Sequence, residues 1–181
     1  QNVYVGAALR KPHTAPFGRA KDTDFFCLPG FYVDLDEEEA VRTASSNYSG
    51  CPPTCAVWTG KTPHPRVQLW WRHEEPERDP ERSRQQNKAL ARALNGDPTV
   101  INPSRVMRLG GSIAWPSKAG RVAEMTEFVT FDDGRPAIYQ NGQLAKAFGA
   151  APPTDMLLVA GTTSSPDLGL GLNTAKLLAA I

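Results

Sequence analysis

Phe31-Tyr32-Val33-Asp34-Leu35-Asp36 is an apolar run that ends in two carboxylates spaced i, i+2. Its aromatic and β-branched residues, behind Gly30, read as a short buried strand over residues 30–36. Side chains two apart on a strand leave the same face of a sheet, so Asp34 and Asp36 stand together. Like charges so placed repel unless a cation or a basic group sits between them. Hard oxygen donors in this arrangement suit Mg²⁺ or Mn²⁺, ions that usually come with a substrate phosphate. The pair therefore points to nucleotide chemistry. The competing reading has Asp36 capping a helix that starts near Glu37, with Asp34 merely exposed, and local sequence leaves both open.

Working outward, residues 2–9 alternate well enough for a leading strand, followed by a Pro-, Gly-, Lys- and Arg-bearing loop through Asp24. Acidic residues after Asp36 open a helix to about residue 46, where the macrodipole favours them. Residues 54–59 form a strand that ends in the turn signal Thr59-Gly60-Lys61-Thr62-Pro63. In the next strand, residues 66–72, Val67, Leu69 and Trp71 alternate with Arg66, Gln68 and Trp70. Asp79-Pro80 opens a long helix to about Asn95, with Gly96 as its stop. Residues 97–121 read as loop with a short strand near 112–115. Residues 124–131 alternate again, and Asp133-Gly134 makes a turn before a last strand at 137–139. The Ala/Leu-rich tail beyond Gly142 suggests two or three short helices, broken by Pro152-Pro153 and by the Gly/Ser/Thr stretch 161–171. Strands adjacent in sequence, with helices between pairs, predict an α+β fold: a mixed or antiparallel sheet flanked by helices. The expected division is a core over residues 1–141 and a small C-terminal helical extension, or the start of a next domain, over 142–181.

The 181 residues, 40% hydrophobic, suffice for one full core. A net charge of +1 excludes a global polybasic signature, so any nucleic-acid footprint comes from local clustering. No apolar run approaches the roughly 20 residues of a membrane span. Gln1 is not an initiator Met and no signal-peptide pattern opens the chain, so a piece of a longer polypeptide is expected. Cys27, Cys51 and Cys55 do not make an even disulfide framework, and Cys51/Cys55 lack a second Cys/His pair for zinc. Reduced thiols and a cytoplasmic location are the expectation.

Two further segments strengthen the carboxylate pair. Residues 59–72 offer a Gly-containing turn with a Lys, then His64, Arg66 and Gln68 entering a strand beside the Asp strand. Arg66 and Gln68 share a face, within reach of a polyphosphate. This is no P-loop, because the earlier Gly is missing and a strand follows rather than a helix. His64 reads equally as a surface turn residue. The second segment runs from Asp97 through Asn102-Pro103-Ser104-Arg105-Val106-Met107-Arg108-Leu109-Gly110-Gly111 to Lys118 and Arg121. It sets one carboxylate ahead of four basic residues in backbone flexible enough to approach a ligand closely. Asp97 reads either as a third metal ligand or as a turn residue.

With these residues assembled, the chain resembles the archaeo-eukaryotic primase superfamily, in its phage and plasmid primase-polymerase branch. Residues 31–36 are similar to the first motif of that superfamily, residues 59–72 to the middle motif, and residues 102–118 to the Arg- and Gly-bearing third segment. Asn2-Val3-Tyr4-Val5-Gly6 resembles the leading strand. The resemblance spans roughly residues 2–131 and implies a primase/RRM-like catalytic core. It implies a template-dependent nucleotidyltransferase, a DNA primase or primase-polymerase, of a mobile-element replication protein. Asp34, Asp36 and Asp97 would be the catalytic carboxylates holding two Mg²⁺ or Mn²⁺ ions. His64, Arg66, Gln68, Arg108 and Lys118 would bind the nucleotide. Gln68 stands where the superfamily usually has His, His64 lies four residues earlier, and Gly110 stands where the branch usually has Pro. The implied partners are a single-stranded DNA template, NTP or dNTP, and a helicase domain or subunit outside this chain.

Arg84, Lys88 and Arg92 recur at i, i+4, i+8 on the long helix and form one basic stripe. With Arg105 and Arg121, that stripe is the expected nucleic-acid contact, an ordinary solvated helix face being the alternative. Trp58, Trp70, Trp71 and Trp115 serve either for base stacking or for core packing. Two other functions use the same residues: a non-catalytic nucleic-acid-binding replication-initiation domain, and a metal-dependent nuclease.

Overall fold

The computed structural model describes residues 1–14, 18–131, 136–140 and 142–149. The leading strand is two short pieces, β1 (Tyr4–Gly6) and β2 (Leu9–Arg10), joined where the Ala7 amide donates to the Arg105 carbonyl at 2.9 Å. Strand β3 runs Phe25–Leu35, five residues earlier than the sequence predicts. Pro29-Gly30 looks like a strand breaker, but the strand continues through it, with a register shift against β5 between Leu28 and Gly30. Gly30 is required there, because a Cβ would stand 2.6 Å from the Trp71 carbonyl oxygen.

Helix α1 (Glu38–Thr43) continues as a 3-10 turn over Ala44–Asn47. Strands β4 (Cys55–Gly60) and β5 (Arg66–Glu77) follow, then helix α2 (Pro80–Ala93). Asp79 caps α2, accepting from the Glu81 amide at 2.8 Å and the Arg82 amide at 3.3 Å. The helix stops where Asn95 takes the left-handed conformation (φ 54°) and the Gly96 amide donates back to the Ala91 carbonyl at 2.7 Å. Gly96 also serves a close approach: a Cβ there would run into Val33 and stand 3.0 Å from the Asp34 carbonyl oxygen.

The stretch read as loop contains β6 (Val106–Arg108) as well as β7 (Ile113–Ala114). The chain then forms β8 (Glu124–Met125), β9 (Glu127–Thr130), β10 (Ile138–Tyr139) and helix α3 (Gln143–Phe148). The expected turn at Asp133-Gly134, and the tail helices and breaks beyond residue 149, lie outside the described residues.

The main sheet has the order β2-β3-β5-β4-β9, all neighbours antiparallel, with β10 added parallel to β5. Two small ribbons, β1–β6 and β7–β8, complete it. The fold is α+β, as the sequence predicts. One sheet face carries Phe31, Val33, Leu35, Val67, Leu69 and Trp71 into a core shared with Leu90, Leu94, Leu144 and Phe148. Trp71 is fully buried, edge-on to Phe148 (5.8 Å) and Tyr48 (6.4 Å), with its indole N–H on the Cys51 carbonyl at 2.8 Å. The other face carries Asp34 and Gln68 together with Tyr32, Cys55, Val57, Trp70 and Phe128.

Beyond its short pairing with β2, the outer edge of β3 is met by α2 and the loop after it. The Tyr32 amide donates to Asn87 Oδ1 at 3.1 Å, and the Asp97 amide donates to the Asp34 carbonyl at 2.8 Å. These bonds satisfy backbone groups that would otherwise be orphaned, and the second brings Asp97 beside Asp34.

Candidate functional site

Antiparallel register sets the site in transverse rows. One row carries Asp34, Gln68, Val57 and Phe128 directly opposite one another across β3, β5, β4 and β9; the next carries Tyr32, Trp70, Cys55 and Thr130. Gln68 is buried and bonded to the Asp34 carboxylate, and its Oε1 accepts the Arg108 amide at 3.1 Å. It thus ties the β1–β6 ribbon to the acidic strand. Of the two second-motif candidates, Gln68 lies in the acidic row. His64 lies on the turn before β5, its ring nitrogen 3.3 Å from the Pro65 carbonyl.

Asp34 is short of positive charge. Burial first, then the negative charge of Asp36, pushes its carboxyl up to about 6; Asp97 adds to this, while Gln68 and Arg105 pull the other way. Asp36 is in the opposite state. Lys118 Nζ donates to it at 2.8 Å and Arg121 Nη2 at 2.7 Å, and Arg66 Nε stands 4.0 Å away. Burial opposes ionisation of Asp36, but the Lys118 and Arg121 bonds outweigh it and hold the carboxyl below its ordinary range. Asp36 does not cap α1, whose first flanking residue is Glu37 without a side-chain cap. Asp97 Oδ1 accepts from the Thr99 amide (2.8 Å) and hydroxyl (2.7 Å), the turn role that its local sequence also allows.

Among the described residues no group of three or more His, Cys, Asp or Glu side chains is gathered closely enough to hold a metal ion. The donor chemistry nevertheless fits a divalent cation at Asp34: a buried carboxyl raised by two neighbouring carboxylates is a position that added positive charge relieves.

The basic residues divide into two groups. Arg66, Arg108 and Arg121 line one narrow cleft, together with Trp115 and Ser117. Burial, then the Arg121 charge beside it, pull Arg66 below its ordinary range, so this cleft concentrates positive charge. Arg66 is almost wholly buried and already donates to the Thr62 carbonyl (2.6 Å) and the His64 carbonyl (3.1 Å), with Glu124 at 3.3 Å. Glu124 also accepts from the Lys61 and Thr62 amides at 3.0 Å, so it fixes the turn that leads into β5. Sequence reading passes over Glu124, because nothing in its own strand signals a partner some sixty residues away. Arg108 bonds Asn2 Oδ1 and stacks over the Tyr4 ring at 5.2 Å. Lys118 and Arg121, assigned separately by sequence, meet on Asp36.

The helix stripe stands apart from this group. Arg84 is committed to Asp22 at 2.5 Å and to Glu81 at 3.4 Å. Lys88 is exposed; Arg92 is exposed too, with the Gly149 carbonyl 3.5 Å away. Arg105 lies close enough to Asp34 to lower its carboxyl, and so belongs with the acidic row. The three cysteines are free thiols, Cys27 and Cys55 buried. No helix among the described residues is long and apolar enough to cross a membrane.

The fold and this site together define an α+β domain with a charge-deficient aspartate and an arginine cleft on the open face of a curled antiparallel sheet. That fold is the one found in the AEP domain of the primase-polymerase of cyanophage S-2L. The two share a TM-score of 0.60 at 21% identity, over 81% of this chain and 70% of that one. Primase RepB′ matches more weakly, at TM-score 0.46 and 18% identity over 66% of this chain and 38% of that one. No family model and no curated protein matches the chain.

Proposed function

We propose that this chain is a template-dependent nucleotidyltransferase of the primase-polymerase type, from a mobile-element replication protein. It would join an NTP or dNTP to a 3′-hydroxyl on single-stranded DNA. One observation carries the reading: Asp34, raised first by burial and then by its acidic neighbours, shares a sheet face with a cleft of three arginines. An anionic polyphosphate and a divalent cation satisfy both halves at once. The fold shared with a primase-polymerase domain supports the same reading.

Asp34, Asp36 and Asp97 would hold Mg²⁺ or Mn²⁺. When bound, such ions lower the pKa of the attacking hydroxyl and stabilise the leaving pyrophosphate. Gln68 orients Asp34 through their hydrogen bond. Arg108 and Arg121, with Lys118, offer charge to the phosphates, while buried Arg66 contributes its field from behind. Lys118 and Arg121 exchange partners in this scheme, leaving Asp36 as the nucleotide and cation arrive.

The test is synthesis on a single-stranded template with NTPs or dNTPs and Mn²⁺ or Mg²⁺, with and without primer. Extended product that disappears in Asp34→Ala plus Asp36→Ala is the expected result. A shortened template identifies a nuclease. Binding without product under every condition overturns the enzymatic reading in favour of a replication-initiation module.

A further inference from the structure

The roles assigned above leave much of the same sheet face unused. There the sheet and the β1–β6 ribbon enclose a cavity of about 380 Å³. Cys55, Val57 and Trp70 form its floor, Phe128 and Leu109 its walls, and Arg108 stands at its rim. Phe128 and Leu109 are 52% and 44% exposed, so the mouth is open to solvent. The volume lies in the range of small-molecule sites, and apolar lining with few polar groups is their usual character.

Arg108 lines the arginine cleft as well as this cavity. A single residue therefore joins an aromatic compartment to a cationic one. A ligand that fills both has a flat apolar body and a polyanionic tail. The register gives the spacing: Val57 is opposite Gln68, and Gln68 is opposite Asp34. At about 4.8 Å per strand, the cavity floor lies about 10 Å across the sheet from the acidic residue. A sugar and its phosphates span that gap.

Resting on the nucleotidyltransferase reading, we propose that this cavity holds the base of the incoming nucleoside triphosphate. Trp70 and Phe128 provide the stacking surfaces. Apart from the Cys55 thiol, the floor and wall side chains carry no hydrogen-bonding group except the Trp70 indole N–H, so the cavity grips any base by its π-face and leaves selection to the template.

Equilibrium dialysis of the full chain with Mg²⁺ tests this, using dATP and inorganic tripolyphosphate as paired probes. Phe128→Ala keeps the Cβ against which Gly110 packs; Leu109→Ala, on the other wall, is the second variant should the first fail to fold. Loss of one stacking surface is expected to raise the dATP Kd about tenfold or more while the tripolyphosphate Kd stays unchanged. Equal changes for both probes, or none for either, overturn the base pocket. So does a wild type that binds tripolyphosphate and dATP equally well, although the nucleotidyltransferase reading survives that result. A variant that loses affinity for single-stranded DNA but not for dATP assigns the cavity to a template base and overturns the proposal too. A wild type that binds neither probe removes the nucleotide reading itself, and the pocket with it.

Discussion

Replacing Asp34 by Asn should make the protein more stable and inactive at the same time. The carboxyl stands at about 6 against an ordinary 3.8, raised first by burial and then by Asp36. Between those two values the native state holds a proton that the unfolded chain has released. The contribution of Asp34 to stability is therefore greatest below pH 3.8, falls as pH rises through 6, and is flat above. At about 1.4 kcal/mol per unit, the ionised carboxyl costs the native state about 3 kcal/mol at pH 8. Asn keeps the shape and can still accept from Gln68, but it carries no charge. The variant should exceed the wild type by about 3 kcal/mol at pH 8, a rise in Tm of about 6 to 12 °C for a domain of this size. The advantage should shrink steadily toward pH 4. Urea denaturation of both proteins from pH 4 to 8.5 without divalent metal measures it. A variant no more stable than the wild type at pH 8, or a difference independent of pH, would refute the argument that Asp34 is charge-deficient in the fold.

If that deficiency is what a cation relieves, Mn²⁺ should raise the wild-type Tm in proportion to the logarithm of its concentration and leave Asp34→Asn unmoved; equal shifts in the two proteins would sink the assignment. His73 is buried edge-on to Phe31, with 4.2 Å between ring centroids; burial, then the Arg82 charge, push it down to about 4. Its unfolded form protonates first, so the contribution of His73 to stability should decline by about 3 kcal/mol as pH falls from 6.5 to 4, and His73→Phe should remove that share of the pH dependence; an unchanged acid limb in the variant would contradict the burial argument. Gly96→Ala should cost about 1 to 3 kcal/mol through overpacking on Val33 and should also weaken catalysis by pushing Asp97 away from Asp34. Wild-type urea midpoint and activity in that variant would mean that the loop moves freely.

The parts of this fold that local chemistry dictates were legible in the sequence. The Val67/Leu69/Trp71 alternation, the Asp79-Pro80 helix start and the i, i+2 aspartates each rest on neighbours within a few residues. What stayed hidden depends on who lies opposite. Pro29-Gly30 reads as an interruption until β5 supplies the register shift that accommodates it. Val106–Arg108 sits among Arg, Ser and Gly and becomes a strand only because Tyr4–Gly6 pairs with it. The same limit applies to the site. The residue types of the acidic pair were readable, but the pairing of Gln68 with Asp34 is a matter of register, which no local pattern encodes. Arg66 and Arg121 look equally available in sequence, yet one is buried under Glu124 and the other reaches Asp36.

The bonds along the outer edge of β3 have a consequence for how this protein behaves at high concentration. A strand carrying Phe31, Tyr32 and Val33 with bare amides and carbonyls would recruit the same strand of another molecule, the usual start of edge-to-edge aggregation. Asn87 and the Asp97 amide occupy two of those positions. The contacts that bring Asp97 to the acidic row therefore also act as a guard, and the strand that carries the acidic pair is kept from polymerising with itself.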